Sequence, residues 1–121
     1  MCPPFGPVPV APDGRRTHRE HEILAGLRRH TRSHVLHLLA AHPGLVVTSG
    51  YRSPARNARV GGSPKSWHLE GRAVDLDGPL PLLQAAAETA WEQRISDGCT
   101  GPEEVLLERV GKPGEHLHVA W

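Results

Sequence analysis

Cysteine is nearly missing from this chain of 121 residues: Cys2 and Cys99 are the whole complement, and they form no C-x-x-C pair. Cys2 lies in a proline-rich stretch that would have to be pinned down before a bridge could close, so free thiols are expected and a structural metal site built on cysteine is not. Charge of one sign is also missing. Lys plus Arg number 14 against 13 Asp plus Glu, so no global field draws the protein to nucleic acid or an anionic membrane. Arg15, Arg16, Arg28, Arg29 and Arg32 make a local basic group, but one Phe and one Tyr in the whole chain give little for base stacking. No run approaches the roughly 20 apolar residues of a membrane span, and the opening "MCPPFGPVPVAPDG" has neither the basic start nor the apolar stretch of a secretion signal. The expectation is a monomer of one domain, made in the cytoplasm without a signal peptide, with no membrane insertion and no nucleic-acid partner.

Proline and glycine are abundant and uneven. Five prolines and two glycines fall in residues 1–14, which predicts an extended arm over 1–16 ahead of a domain over 17–121. "THRE" at 17–20 has the form of a capping box. The apolar residues Leu24, Leu27, Val35, Leu38 and Leu39 then follow at helical spacing, predicting one helix over 17–41 stopped by "HPG". "LVVTSGYRS" at 45–53 is β-branched and reads as a strand. Ser53 before Pro54 reads as an N-cap with proline at the first helical position of a short helix. "RVGGSPKS" is loop. In "RAVDLD" Val74 and Leu76 take one face of a strand, and Ala73, Asp75 and Asp77 the other. Residues 79–95 carry Leu83, Ala87, Ala90 and Trp91 at helical spacing. Residues 103–121 are expected to form two strands joined by "GKPG", although "PEEVLLERV" alone equally suits a short helix.

The chemistry gathers in "SWHLEGRAVDLD" (66–77) and the terminal "EHLHVAW". The alternation that exposes Asp75 also puts His116 and His118 on one side of the last strand, so two polar faces can meet. His68, Asp75 and His118 offer imidazole nitrogen and carboxylate oxygen, donors suited to one Zn²⁺ per chain, and three protein ligands leave a fourth position for water as in catalytic zinc sites. Glu115 lies three residues before His118, just after Gly114, where a general base could reach that water. Arg52 supplies a guanidinium for a substrate carboxylate or an oxyanion. Ser66, two residues before His68, is placed to orient that ligand.

These strings, together with "SGYRSPARNARVGG" at 49–62, resemble the signatures of the M15 zinc peptidases, the D-alanyl-D-alanine carboxypeptidase and L-alanyl-D-glutamate endopeptidase group that includes phage endolysins. The resemblance covers about residues 45–121. It implies an α+β fold shared with the hedgehog signalling domain, with helices packed on a small antiparallel sheet. It implies zinc on His68, Asp75 and His118, Glu115 as the acidic catalytic residue, and Arg52 in the S-G-Y-R-S string, with Ser49 and Tyr51 beside it, at the substrate. His116 stands where many relatives carry an aromatic residue, so the choice between His116 and His118 as ligand rests on the spacing from Glu115. The implied partner is the peptide stem of bacterial peptidoglycan, reached by a phage or prophage lytic protein after release or from a virion. The hedgehog domain shows the alternative, a zinc-stabilised module that binds cell wall or builds a virion and does no chemistry.

Other candidates have plainer readings. Asp77 is expected to cap the helix that follows, Glu108 to be a solvated strand residue, although a second catalytic-site acid is the sharper option, and Arg56 and Arg59 to be exposed rather than a substrate rim. His30, His34 and His37 lie at i, i+4 and i+7 on the first helix, but "HTRSH" lacks the glutamate of H-E-x-x-H. A solvated face is the expectation there.

Overall fold

The computed structural model describes residues 18–97 and 101–121. The proline-rich arm, Thr17 of the capping box and both cysteines lie outside the described residues. The elements in chain order are α1 (His18–Ala25), α2 (Arg29–Ala41), β1 (Val46–Ser49), α3 (Pro54–Arg59), a 3-10 turn (Trp67–Glu70), β2 (Ala73–Asp77), α4 (Leu80–Asp97), β3 (Glu104–Glu108) and β4 (His116–Ala120). The four strands form one antiparallel sheet in the order β1-β2-β4-β3. The fold is α+β, as expected.

Alternation decides which side of the sheet is covered. Val74 and Leu76 of β2, and Leu117 and Val119 of β4, are fully buried. They pack with Val35, Leu38 and Leu39 of α2 and Leu83, Ala86 and Ala90 of α4 in one cluster. Each large aliphatic side chain removed from water in this way contributes about 1.5–3 kcal/mol. The stripe on α4 is Leu83–Ala86–Ala90, with Ala87 at its border, and Trp91, expected on that face, is 47% exposed.

The single helix expected over 17–41 is two helices. Gly26 N–H is shared between the carbonyls of Glu22 and Ile23, and Arg28 N–H leaves the helical ladder to donate to Gly71 O at 2.9 Å. A tertiary hydrogen bond thus replaces a helical one at the residue where α2 restarts. Gly71 has φ +68°, and a side chain on it would press within 3.0 Å of the Gly26 carbonyl, so the close approach needs glycine.

The strand expected over 45–53 ends at Ser49. Gly50 leaves the sheet to pack on Ile23, whose Cγ2 would lie 2.7 Å from an added Cβ, and Arg52 N–H donates to His68 O at 3.0 Å. Ser53 caps α3 as its sequence suggested, accepting from Arg56 N–H, with Pro54 at the first position. Asp77 Oδ1 accepts the Gly78 N–H, bracing the turn into α4. The C-terminal segment is a hairpin, not a helix, and residues 109–115 connect its strands, a wider span than "GKPG".

His34 corrects the solvated face expected of α2. It is fully buried, its Nδ1 is 3.1 Å from Gln93 Oε1, and its ring stacks on Trp121 with centroids 5.2 Å apart.

Candidate metal centre

The uncovered side of the sheet carries the polar residues of β2 and β4. Asp75 and His118 are opposite one another in the antiparallel register, and a directly opposed pair brings Cβ atoms within about 5.5 Å. His118 Nδ1 lies 3.1 Å from Asp75 Oδ1. His68 arrives from the 3-10 turn, which is held at both ends. Ser66 Oγ accepts His68 N–H at 3.2 Å, and Gly71 closes the turn in the left-handed region. His68 Nδ1 is 2.7 Å from the Gly50 carbonyl, which can only accept, so Nδ1 carries a proton and Nε2 faces the site. That Nε2 is 3.3 Å from Asp75 Oδ1.

One ligand atom from each of His68, Asp75 and His118 therefore lies within 4.8 Å of the other two. The two rings stand edge to face, 5.2 Å between centroids. Two imidazole nitrogens and a carboxylate oxygen are a donor set that suits zinc, and three donors leave coordination positions for water or substrate. Among the described residues no second group of three such side chains converges, the histidines of α2 included.

Electrostatics follow from that packing. Burial by itself pushes the Asp75 carboxyl up, but hydrogen bonds from His118 and His68 outweigh it and hold the group well below the ordinary 3.8. Burial pushes His118 down, whereas its contacts with Asp75, and then with Glu104, pull it above the ordinary 6.5.

Arg52 braces Asp75 from behind. Its Nη2 donates to Asp75 Oδ2 at 3.1 Å and its Nε to Ser49 Oγ at 3.2 Å. Nη1 is 3.5 Å from Asn57 Oδ1. Asn57 is itself buried and ties the following loop by donating to Ser63 O at 2.8 Å. The guanidinium thus occupies Oδ2 and leaves Oδ1 to the histidines.

A cleft of about 470 Å³ opens over the three residues. One wall is the loop and turn over 61–67, with Lys65 and Trp67, and the other is the β3–β4 hairpin, with Glu104, Glu108 and His116. His116 points into it: Nδ1 donates to Gly114 O at 2.7 Å, and Nε2 is 3.9 Å from Asp75 Oδ1 and 3.8 Å from Glu108 Oε2. Glu115 is not among the residues lining the cleft. Its Oε2 accepts the Gly111 N–H at 2.7 Å inside the connecting turn. Tyr51 is half exposed and does not line the cleft either.

Sequence reasoning passed over Glu104 and Asn57. Glu104 Oε1 is 2.7 Å from His118 Nε2. The alternation of β3 sets Glu104, Leu106 and Glu108 on one face, and the register pairs Leu106 with His118. A signal was present in that alternation, but using it required the register.

A protein-family model described as Peptidase M15 matches residues 18–102. The chain belongs to the M15 peptidase family. His68, Asp75, Arg52 and the loop over 61–66 fall inside the matched stretch of this M15 chain, while the hairpin that brings His118 and Glu104 follows it. No curated protein matches the sequence. No helix among the described residues is long and apolar enough to cross a membrane.

Proposed function

We propose that this M15 peptidase is a zinc enzyme that hydrolyses amide bonds in the stem peptides of peptidoglycan, as a D-Ala-D-Ala carboxypeptidase or L-Ala-D-Glu endopeptidase, in a phage or prophage lytic role. The observation that carries the reading is the convergence of His68, Asp75 and His118 beneath an open cleft. These three side chains would hold the zinc. When bound, the ion supplies Lewis acidity, activating water near neutral pH and polarising the scissile carbonyl.

The chain's own groups do the rest. Arg52 fixes the Asp75 carboxylate, and its three contacts leave two of the five N–H donors of a guanidinium for substrate. Proton transfer needs a group within reach of the attacked carbonyl. Glu115, the acid expected from the sequence, is held in the turn, whereas Glu108 and His116 face the cleft side by side. We assign the proton transfer to Glu108 Oε2 acting with His116 Nε2, taking the proton from water and returning it to the leaving amine.

The placement of Glu115 outside the cleft favours one second reading, a zinc-stabilised module that binds cell wall or serves in a virion without chemistry. Digestion of muropeptides by the zinc-loaded protein, followed by mass spectrometry, separates the two. The enzyme reading expects new amino termini or released D-alanine, with Glu108→Gln slower by about 10²–10⁴-fold at unchanged zinc content and Glu115→Gln near wild type. A reversed ranking would return the proton to Glu115. Intact muropeptides with every protein would leave the binding module.

A further inference from the structure

Glu104 contributes neither a metal ligand nor a group expected to move the reaction's proton, yet it makes one of the closest polar contacts of the site. Its Oε1 lies 2.7 Å from His118 Nε2, on the side of the ring opposite the nitrogen that faces Asp75. A carboxylate can only accept there, so Nε2 carries a proton in this contact, and a cation at the convergence point would take Nδ1 as its ligand atom. Nδ1 is the nitrogen that faces Asp75 Oδ1 and the point where the three ligand atoms converge. His68 has the mirror arrangement, its Nδ1 donating to the Gly50 carbonyl so that Nε2 faces inward. Each histidine is thus oriented by an acceptor behind it, but the acceptors differ. For His68 it is a neutral backbone carbonyl in a buried turn, and for His118 it is a carboxylate 38% exposed on the neighbouring strand.

We propose that Glu104 is a positioning residue of the metal centre, setting the tautomer and ring orientation of His118 and raising its basicity as a ligand. The proposal rests on the reading of His68, Asp75 and His118 as a zinc site. Three features of β3 support it. Glu104 stands at the start of the strand, where its backbone pairs with Ala120, and Glu103 N–H donates to the Ala120 carbonyl at 2.7 Å, so the strand end is anchored. Its side chain crosses diagonally to His118, within reach of a long side chain on an antiparallel pair. It also lines the cleft, so the carboxylate stays beside the ligand it orients. An acceptor behind a ligating histidine typically changes metal affinity by 10–100-fold.

The test compares Glu104→Ala and Glu104→Gln with wild type by zinc competition titration against a chromophoric chelator, and by nitrogen-15 NMR of the zinc-loaded proteins. Wild type is expected to show His118 ligated through Nδ1 with a slowly exchanging Nε2 proton. Glu104→Ala should bind zinc about 10–100-fold more weakly and lose that slow exchange. Glu104→Gln, which keeps an acceptor oxygen, should recover part of both. Thermal unfolding of the metal-free proteins separates this from general destabilisation, since a positioning role leaves the affinity loss in place where the midpoints agree. Equal zinc affinity and equally slow Nε2 exchange in all three proteins would overturn the proposal. Failure of wild type to bind zinc would instead overturn the metal reading beneath it.

Discussion

At the scale of single residues, the site is a case of one carboxylate serving two masters. Asp75 gives Oδ2 to Arg52 and Oδ1 to His68 and His118, and this division sets a pH signature. The Asp75 carboxyl is held below its ordinary value, so its contribution to the metal-free fold is present above about 3.8 and fades as pH falls through the lower folded value. His118 is raised above 6.5, so its contribution is complete below that value and fades as pH rises through the higher folded one. On the proposed zinc reading, affinity should run the other way, because metal ligands must be deprotonated and binding strengthens as the imidazoles lose protons. In chelator, the melting temperature of wild type relative to His118→Asn should shrink from about pH 5.5 to about pH 8.5, while the zinc-induced rise grows over the same range. Thermal unfolding across that range checks both slopes, and a pH-independent difference in chelator would contradict the coupling of His118 to Asp75.

At the scale of elements, the loop over 60–66 between α3 and the 3-10 turn has two adjacent glycines with different reasons to be glycine. Gly61 has φ +74° and nothing within 4 Å of an added Cβ, whereas a Cβ on Gly62 would stand 2.1 Å from Asn57 Oδ1. Asn57 cannot yield easily, being buried and bonded to Ser63 O. Gly61→Ala should cost about 1 kcal/mol in backbone strain, with little effect on the cleft. Gly62→Ala should cost about 1–3 kcal/mol by overpacking and also disturb the cleft wall and Arg52. Urea denaturation with zinc titration of both variants distinguishes them, and equal behaviour would remove the packing argument.

Elements are also where the sequence was most and least readable. The alternation of β2 and β4 was explicit, because a two-residue period leaves no freedom about which of Val74, Asp75 and Leu76 face the core. Ser53-Pro54 announced α3 by a side-chain oxygen and a proline at the positions where a helix start needs them. The break between α1 and α2 was hidden because Arg28 N–H finds its acceptor at Gly71, a partner 43 residues away that no local pattern reports. The trio His68, Asp75 and His118 was legible, since its members lie on short motifs of fixed spacing. Glu104 was not, because its meeting with His118 depends on the hairpin register. That register is set by a turn over 109–115, where Arg109 adopts φ +55°. The position of Glu115 was hidden for the same reason: its distance from His118 along the chain was visible, but the hydrogen bond it accepts from Gly111 N–H was not.

At the scale of the whole molecule, one sheet divides the protein into a dry side that holds it together and an open side that carries the cleft. β4 belongs to both, since Leu117 is fully buried between His116 and His118, which face the cleft. Leu117→Ala should cost about 2–5 kcal/mol and loosen the metal site, whereas Leu38→Ala, on α2 and also fully buried, should cost a similar amount with zinc affinity kept in the folded fraction. Denaturation and zinc titration of the two variants at low temperature checks this difference. On the proposed zinc reading, the ion at about 100 times its dissociation constant should add about 2.7 kcal/mol to the stability of the folded state from the open side.

The central claim is that His68, Asp75 and His118 together hold one zinc ion and leave it a place for exchange. Substitution with cobalt(II), titrated into the metal-free protein and followed by visible absorption, tests it most directly. The account predicts one equivalent bound, a spectrum of low coordination number that shifts when azide is added, and loss of the high-affinity site in each of His68→Ala, Asp75→Ala and His118→Ala. Binding that survives any of the three substitutions unchanged, or a spectrum indifferent to azide, would contradict it.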